Sequence, residues 1–305
     1  MGVVLSLTAG VCFAAFTILI RLGMRNRAAD DGLLMTVLVN TVILGVVALF
    51  MNWPPFDLAG VAALLAGGVV GTVFGRAANL RAVRRIGPTR TNAFLTVNPI
   101  VSAIGGWLVL DEAVSLGEAI GGVLVITGLF RLIRRGAVVS AGQGQTTTAP
   151  ALAAQTAERR TAAGYVYAAA APVFFGFAFV ARKWGLQFFP NAVIGAFIGS
   201  AAAFIVVVAG DAFGGRLRER MHHNFREVPW LFVWAGIASS AALLAQFFAF
   251  SFAPAWVVGL LQGTQPLWTL AMGYLFLRQE EHIDSKLVTS ILLVIAGIVA
   301  ISLQI

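Results

Sequence analysis

Residues 13–23 read FAAFTILIRLG, and residues 175–185 read FGFAFVARKWG. Each stretch ends a long apolar run with a basic residue followed closely by a glycine, and the alignment matches Arg21 with Lys183. Weaker matches follow in the same order through both parts of the chain, as far as the pair LVITG and LVIAG. This ordered recurrence indicates that the chain consists of two similar halves.

The composition indicates a membrane protein. Hydrophobic residues make up 59% of the 305 residues, charged residues only 11%, and the mean hydropathy is +0.88. A water-soluble domain of this length carries far more charge. Because a helix needs roughly 20 apolar residues to cross the hydrocarbon core, the chain has room for about ten crossings and little else.

The apolar runs predict ten spanning helices, near residues 3–20, 33–51, 58–76, 92–110, 115–133, 164–181, 192–210, 230–250, 255–277 and 286–304. A polar stretch of small residues interrupts them, so we predict a first repeat over 1–135, a flexible linker over 136–162 and a second repeat over 163–305. Five helices are an odd number, and the repeats therefore cross the membrane in opposite senses. The predicted fold is an all-α membrane protein with about ten transmembrane helices in two inverted five-helix repeats around a central cavity.

Basic residues are distributed unevenly over the connections between these helices. Nineteen of the 21 lysines and arginines fall in or beside odd-numbered connections, and the even-numbered ones hold only Arg182 and Lys183. Basic loops remain in the cytoplasm. We therefore predict a multi-pass protein of the cell membrane (inner or plasma membrane) with both termini outside the cytoplasm. The five arginines of residues 76–94 then reach lipid phosphates, or else they form a funnel that collects anionic substrate.

A set of loose motifs recurs in both halves. A small residue and aromatic residues precede the basic residue that ends the first helix, a proline follows an amide in the fourth helix, and an acidic residue and a glycine come later. The residues of this pattern are Ala14, Arg21, Gly176, Lys183, Asn98, Pro99, Gln265, Pro266, Glu112, Glu280, Glu281, Gly128 and Gly297. In these respects the chain resembles the ten-helix drug/metabolite transporter superfamily, and specifically its EamA-like branch.

The resemblance implies a secondary transporter that exports a small organic solute, such as an amino acid, another metabolite or an amphipathic compound, by alternating access. Two features depart from the family pattern. Members usually have cytoplasmic termini, whereas the charge distribution here predicts the reverse. The membrane glutamate through which small four-helix relatives couple to protons has no counterpart in residues 3–20, so that coupling is not carried over.

Polar side chains within the spans are the candidate substrate contacts, because an unpartnered polar group in hydrocarbon is costly. Asn98-Pro99 and Gln265-Pro266 lead this set, since each proline removes a backbone donor and frees a carbonyl one turn earlier, close to an amide side chain. The other candidates are Asn92, Thr96, Gln262, Gln246, Arg76, Asn79, Lys183 and Arg21. For the amides, hydrogen bonding between helices is the alternative role.

Other function classes find little support in the sequence. It contains no GxSxG or HExxH motif and no pair of carboxylates within a span, so we predict no enzyme, no catalytic residue and no cofactor. Cys12 is the single cysteine, which leaves no cysteine-based metal site. No soluble surface remains for nucleic acid.

A non-transporting scaffold or assembly subunit is the alternative to a transporter, and it requires that all buried amides are paired. For the transporter, the expected partners are a small-molecule solute and membrane lipid. The glycine-rich helix faces are also compatible with a homodimer.

Overall fold

The structure is a computed structural model that describes residues 1–23, 29–86, 91, 94–95, 97–141, 151–215, 217–219, 230–277 and 285–303. All regular secondary structure in these ranges is helical, which confirms the predicted all-α class. The elements are α1 (Gly2–Gly23), α2 (Ala29–Leu49), α3 (Leu58–Gly68), a π-helical segment (Val69–Gly75), α4 (Arg76–Ile86), α5 (Asn98–Leu110), α6 (Leu116–Ala141), α7 (Ala151–Phe188), α8 (Ala192–Phe213), α9 (Trp230–Phe250), α10 (Ala255–Gln262), α11 (Gln265–Leu277) and α12 (Ser285–Ser302).

Several of these elements have the length and composition of membrane spans. Among the described residues, six helical stretches are long and apolar enough to cross a membrane: Gly2–Ile20, Gly32–Leu49, Leu58–Ala82, Ala162–Phe188, Ala192–Phe213 and Trp230–Phe250. α5 and most of α12 are apolar but shorter. Large apolar side chains such as Trp107, Ile205 and Trp234 are exposed on the bundle. Such surfaces are typical of a protein surrounded by lipid.

At two buried arginines the helices continue beyond the predicted ends of the spans. The sequence prediction ends the third span at residue 76, but the helix continues through the π-helical segment and α4 to Ile86. The sequence prediction ends the sixth span at residue 181, whereas α7 continues to Phe188. A hydropathy pattern stops at the first charged residues, and here these residues are buried within the helices. Arg76 and Arg182 therefore belong to spans and not to connecting loops.

The predicted linker is partly helical. α6 continues to Ala141 and α7 begins at Ala151, so both helices extend into the segment 136–162. Residues 142–150 lie outside the described part of the chain.

Contacts between the halves follow a repeated pattern. α1, the first helix of one half, packs against α9 of the other, and α7, the first helix of the second half, packs in the same way against α3. α2 lies along α8 and α6 along α12, so the second helices of the halves pair, as do the last. This is the pattern that results when two related halves exchange equivalent contacts.

Glycines permit the closest of these approaches. A Cβ added to Gly68 of α3 would overlap the backbone of Gly199 in α8. Gly121 of α6 and Gly297 of α12 each face the other's carbonyl oxygen in a similar way. Small residues let helix backbones approach within lipid, where no hydrophobic force draws helices together. The glycine faces at these positions are thus used for packing inside the bundle.

The connections that carry few basic residues lie together at one end of the bundle. Asn191 Nδ2 donates to Asn52 O (3.4 Å), which joins the connection after α7 to the one after α2. Gly2 lies against Ala253, so the beginning of α1 is next to the connection before α10. At the other end, two exposed arginines at the end of α4 stack on an aromatic ring near the beginning of the sixth span. These residues are Arg81, Arg85 and Tyr167.

Candidate functional site

The amide-proline pairs Asn98-Pro99 and Gln265-Pro266 each stand at the beginning of a helix. α5 begins at Asn98, with Pro99 in its first turn. The ninth predicted span is divided into α10 and α11, with residues 263–264 between them and Pro266 in the first turn of α11. A proline is tolerated in a first turn because its missing N–H would have no helical partner there. The prolines thus begin new helices, whereas the sequence predicted continuous spans in which each proline frees a carbonyl one turn earlier.

The predicted glutamines form two separate contacts. Gln246 Nε2 of α9 donates to Gln262 Oε1 of α10 (2.8 Å), and both side chains are buried. Gln265 Nε2 instead donates to Thr17 Oγ1 (2.7 Å) and Phe13 O (3.2 Å), both on α1. All three glutamines therefore connect helices.

Asn98 and Asn79 differ from the glutamines. The Oδ1 atom of each is buried and has no hydrogen-bond partner within the described ranges. Each asparagine thus keeps one acceptor available to another molecule. A scaffold whose buried amides are all paired does not fit these two side chains.

Arg76, at the junction of the π-helical segment and α4, is only 8% exposed. Its Nη2 donates to Ser239 Oγ of α9 (3.2 Å) and its Nη1 to Thr36 Oγ1 of α2 (3.5 Å). The guanidinium also lies 4.7 Å from the ring centre of Phe16 on α1. The Asn40 amide is best oriented with its oxygen accepting from Ser239 Oγ. Arg76 thus joins α1, α2 and α9 through neutral partners.

Arg182 of α7 is 5% exposed. Its Nη1 donates to Gln246 Oε1 (2.8 Å) and its Nη2 to Thr72 Oγ1 in the π-helical segment (3.3 Å). Gly67 and Gly71 provide the space for this side chain, since a Cβ at either would lie 2.9 Å from an Arg182 side-chain atom. π-Helical segments occur frequently at functional sites, and this one carries a direct contact to a buried cation.

Lys183 pairs with Glu112 at the end of the bundle that carries few basic residues. Lys183 Nζ lies 2.7 Å from Glu112 Oε1 and donates to Ala253 O (2.7 Å). The N–H of Ala255, the first residue of α10, donates to Glu112 Oε2 (3.0 Å), and a carboxylate at a helix N-terminus is electrostatically favourable. Asp111, in the left-handed region with φ of 53°, reverses the chain just before Glu112. This contact fastens the ends of α5, α7 and α10 together.

The structure brings some predicted site residues together and separates others. Gln246 and Gln262 form one buried polar cluster with Arg182, whereas Gln265 and Lys183 make separate contacts. The remaining predictions, namely the Arg21 side chain, Asn92 and Thr96, lie outside the described residues.

Arg76 and Arg182, with the polar side chains around them, form the buried polar cluster between the halves. Sequence reasoning missed five of its residues, namely Arg182, Thr72, Thr36, Asn40 and Ser239. It treated Arg182 only as an exception to the charge distribution. That exception was itself a usable signal, because a basic residue on the side with little positive charge needs a reason other than topology.

An apolar pocket of about 300 Å³ between α3 and α8 lies apart from both arginines; its lining includes Trp53, Phe56, Leu65, Phe189 and Phe197. Within the described ranges, no group of three or more histidine, cysteine or acidic residues is close enough to hold a metal ion.

Comparison with known proteins gives the family. The model of the EamA-like transporter family matches residues 1–134 and again residues 162–303. The chain belongs to the EamA-like transporter family. This membership confirms the resemblance in the motifs and agrees with a multi-pass membrane transporter of small solutes.

Two further comparisons were informative to different degrees for this EamA-like protein, and the similarity to a solved structure concerns the fold alone. No curated protein sequence matches the chain significantly. One crystal structure is similar with a TM-score of 0.69, over 99% of this chain and 96% of the other, at 16% sequence identity.

Proposed function

We propose that this EamA-like protein is a secondary transporter that exports a small organic solute across the cell membrane by alternating access. The observation that carries the proposal is the buried polar cluster between the halves. Arg76 donates to Ser239 and Arg182 donates to Thr72, in each case a hydroxyl group of the opposite half. Buried cations in a membrane are costly and mark solute pathways. The outward direction follows the family resemblance.

The proposed architecture has ten spans in two inverted repeats. α3, the π-helical segment and α4 form one span, and α10 with α11 form another, which gives five spans in each half. The exchange of equivalent contacts between the halves supports this arrangement. Interrupted spans at the interface of two repeats are typical of solute sites in secondary transporters, and α5 and the α10–α11 pair supply one in each half.

The proposed orientation places the basic end of the bundle in the cytoplasm. It is supported by the position of Arg81 and Arg85 at the end opposite Gly2. We therefore expect a reporter fused after Ile305 to be active if it functions only outside the cytoplasm. Activity of a cytoplasm-only reporter at this position would reverse the orientation.

In this orientation, the contact between Lys183 and Glu112 closes the non-cytoplasmic side. Since alternating access requires each side to open in turn, the contact must break during transport. It is therefore the proposed non-cytoplasmic gate.

Counterflow in liposomes tests the proposed function. Liposomes that contain the purified protein are loaded with a pool of unlabelled amino acids and other metabolites, and uptake of each labelled solute is measured. We expect uptake of at least one solute, and we expect the double variant Asn98→Ala/Gln265→Ala to reduce it about tenfold, because two hydrogen-bonding groups are worth roughly that factor.

The exposed amide Gln187 provides a matched control, since Gln187→Ala removes an amide of α7 that lies on the surface. Its uptake should equal that of the wild type. Normal uptake in the double variant would reject Asn98 and Gln265 as solute contacts. Absence of uptake for every solute, in folded protein, would favour the scaffold.

A further inference from the structure

Among the described residues, the cluster between the halves contains two buried cations and no acidic hydrogen-bond partner for either. Arg76 and Arg182 are 8% and 5% exposed, and their hydrogen-bond acceptors are hydroxyl and amide oxygens. Within the described residues the ion pair at hydrogen-bond distance is that of Lys183 with Glu112, and neither arginine takes part in it. A buried cation without a counter-charge is unfavourable, and two in one interface also repel each other.

The cluster also contains buried hydrogen-bond donors that have no acceptor among the described residues. A guanidinium carries five N–H donors, yet the buried Nε of Arg182 has no partner in the described part of the chain. The Nε2 of Gln262 is buried and unpartnered as well. It belongs to the same network, because Gln262 accepts from Gln246, which accepts from Arg182. Unused donors beside a buried cation fit an anion and not a cation or an apolar group.

The two arginines contact the same helix. Arg76 reaches α9 at Ser239 and Arg182 reaches it at Gln246, positions about two turns or ~10 Å apart along the axis. Aromatic rings lie beside both guanidinium groups, Phe16 at 4.7 Å and Phe247 at 5.8 Å. The spacing of Ser239 and Gln246 along α9 suits a small organic molecule that has an anionic group at one end.

We propose that this protein binds its solute through an oxyanion, a carboxylate or a phosphate ester, held by Arg182 and Gln262 with Arg76 as the second cation. The planar guanidinium matches the oxygens of either group with two parallel hydrogen bonds. The proposal rests on the proposed function, for which it names the chemical class of the solute.

The test measures the thermal midpoint of unfolding of the purified protein in nanodiscs of uncharged lipid. Succinate, inorganic phosphate and chloride are titrated separately at equal ionic strength. A ligand that binds only the folded protein raises the midpoint. We expect succinate or phosphate to raise it and chloride to have no effect. Equal shifts with all three anions would overturn the proposal.

The variant Gln246→Glu places a carboxylate beside Arg182 that competes with an oxyanion for the site. The new carboxylate would replace an oxygen that lies 2.8 Å from Arg182 Nη1, and the amide of Gln262 can turn so that its unpartnered Nε2 donates to it. We expect a higher midpoint without ligand and an oxyanion affinity about tenfold lower or more. Arg131→Gln, which removes an exposed arginine of α6, should bind as the wild type does. Undiminished binding by Gln246→Glu would place the anion elsewhere and overturn the proposal.

Two further experiments, one with nanodiscs of anionic lipid and one with counterflow, distinguish failure of the oxyanion site from failure of the proposed transport function. Protection by nanodiscs of anionic lipid, with no effect of soluble anions, would assign the site to a lipid headgroup and overturn a soluble solute. Counterflow of an uncharged solute that succinate and phosphate leave unchanged would retain the transporter and overturn the oxyanion site. Binding that Gln246→Glu abolishes, in a protein without counterflow, would support the oxyanion site and reject transport.

Discussion

Gly68→Ala is expected to destabilise the helix bundle by about 2–3 kcal/mol, at the upper end of the usual cost of overpacking. The added Cβ would overlap the carbonyl group and Cα of Gly199. These are backbone atoms, so no side chain can rotate to relieve the overlap, and α3 would have to move away from α8. Since α3 leads directly into the π-helical segment with Thr72, which Arg76 follows, the displacement should also disturb the buried cluster.

Two glycines on α8 provide matched controls. A Cβ on Gly199 would lie 3.4 Å from Gly68 Cα, an ordinary contact, and a Cβ on Gly210 has nothing within 4 Å. Gly199→Ala and Gly210→Ala should therefore be close to the wild type. The measurement is the thermal midpoint of each purified variant in detergent. A Gly68→Ala protein as stable as Gly210→Ala would show that α3 and α8 are not in close contact.

Lys183→Met is expected to open the non-cytoplasmic side of the protein. The Lys183 and Glu112 side chains are 18% and 9% exposed, so their ion pair is largely shielded from water and its loss leaves Glu112 without a cation. Glu112→Gln should have a smaller effect, because the amide oxygen can still accept from the Ala255 N–H.

A cysteine placed deeper in the bundle than the Lys183–Glu112 contact can report the opening of the non-cytoplasmic side. Ser102 is fully buried on α5, one helical turn or about 6 Å deeper than Gly106, beside which the Glu112 carboxylate lies. With Cys12→Ser removing the single native cysteine, Ser102→Cys should react slowly with a membrane-impermeant thiol reagent. Adding Lys183→Met should accelerate labelling about tenfold, the effect of roughly 1.4 kcal/mol on a closed-to-open equilibrium. Arg81→Gln at the opposite end is the control. Unchanged labelling in Lys183→Met would show that the ion pair is not a gate.

The sequence was sufficient for the class of fold and for the family. The apolar runs predicted the helices because each span must present apolar side chains to lipid, and the repeated motifs led to the EamA-like family that the family model confirmed. Helix ends were less accurate at Arg76 and Arg182, since a buried arginine ends an apolar run without ending the helix. The π-helical segment Val69–Gly75 was not predicted, because VVGTVFG also suits an α-helix.

The site was only partly predictable for a different reason. Amides and prolines within apolar runs are conspicuous, so Asn98, Gln246, Gln262 and Gln265 were readily selected. Their partners depend on which helices become neighbours: Gln265 reaches α1 of the other half, while Gln246 accepts from Arg182 of its own half. Periodicity along one helix does not contain that information.

The central claim is that solute passes between the halves as the two sides open in turn, and crosslinking of the Lys183–Glu112 contact tests it most directly. Glu112→Cys/Lys183→Cys in the Cys12→Ser background is treated with a short bifunctional thiol reagent that contains a cleavable disulfide, and counterflow is measured before and after cleavage. We expect the linked protein to lose counterflow and the cleaved protein to regain the activity of the untreated double variant. Undiminished counterflow in fully linked protein would contradict alternating access through this side.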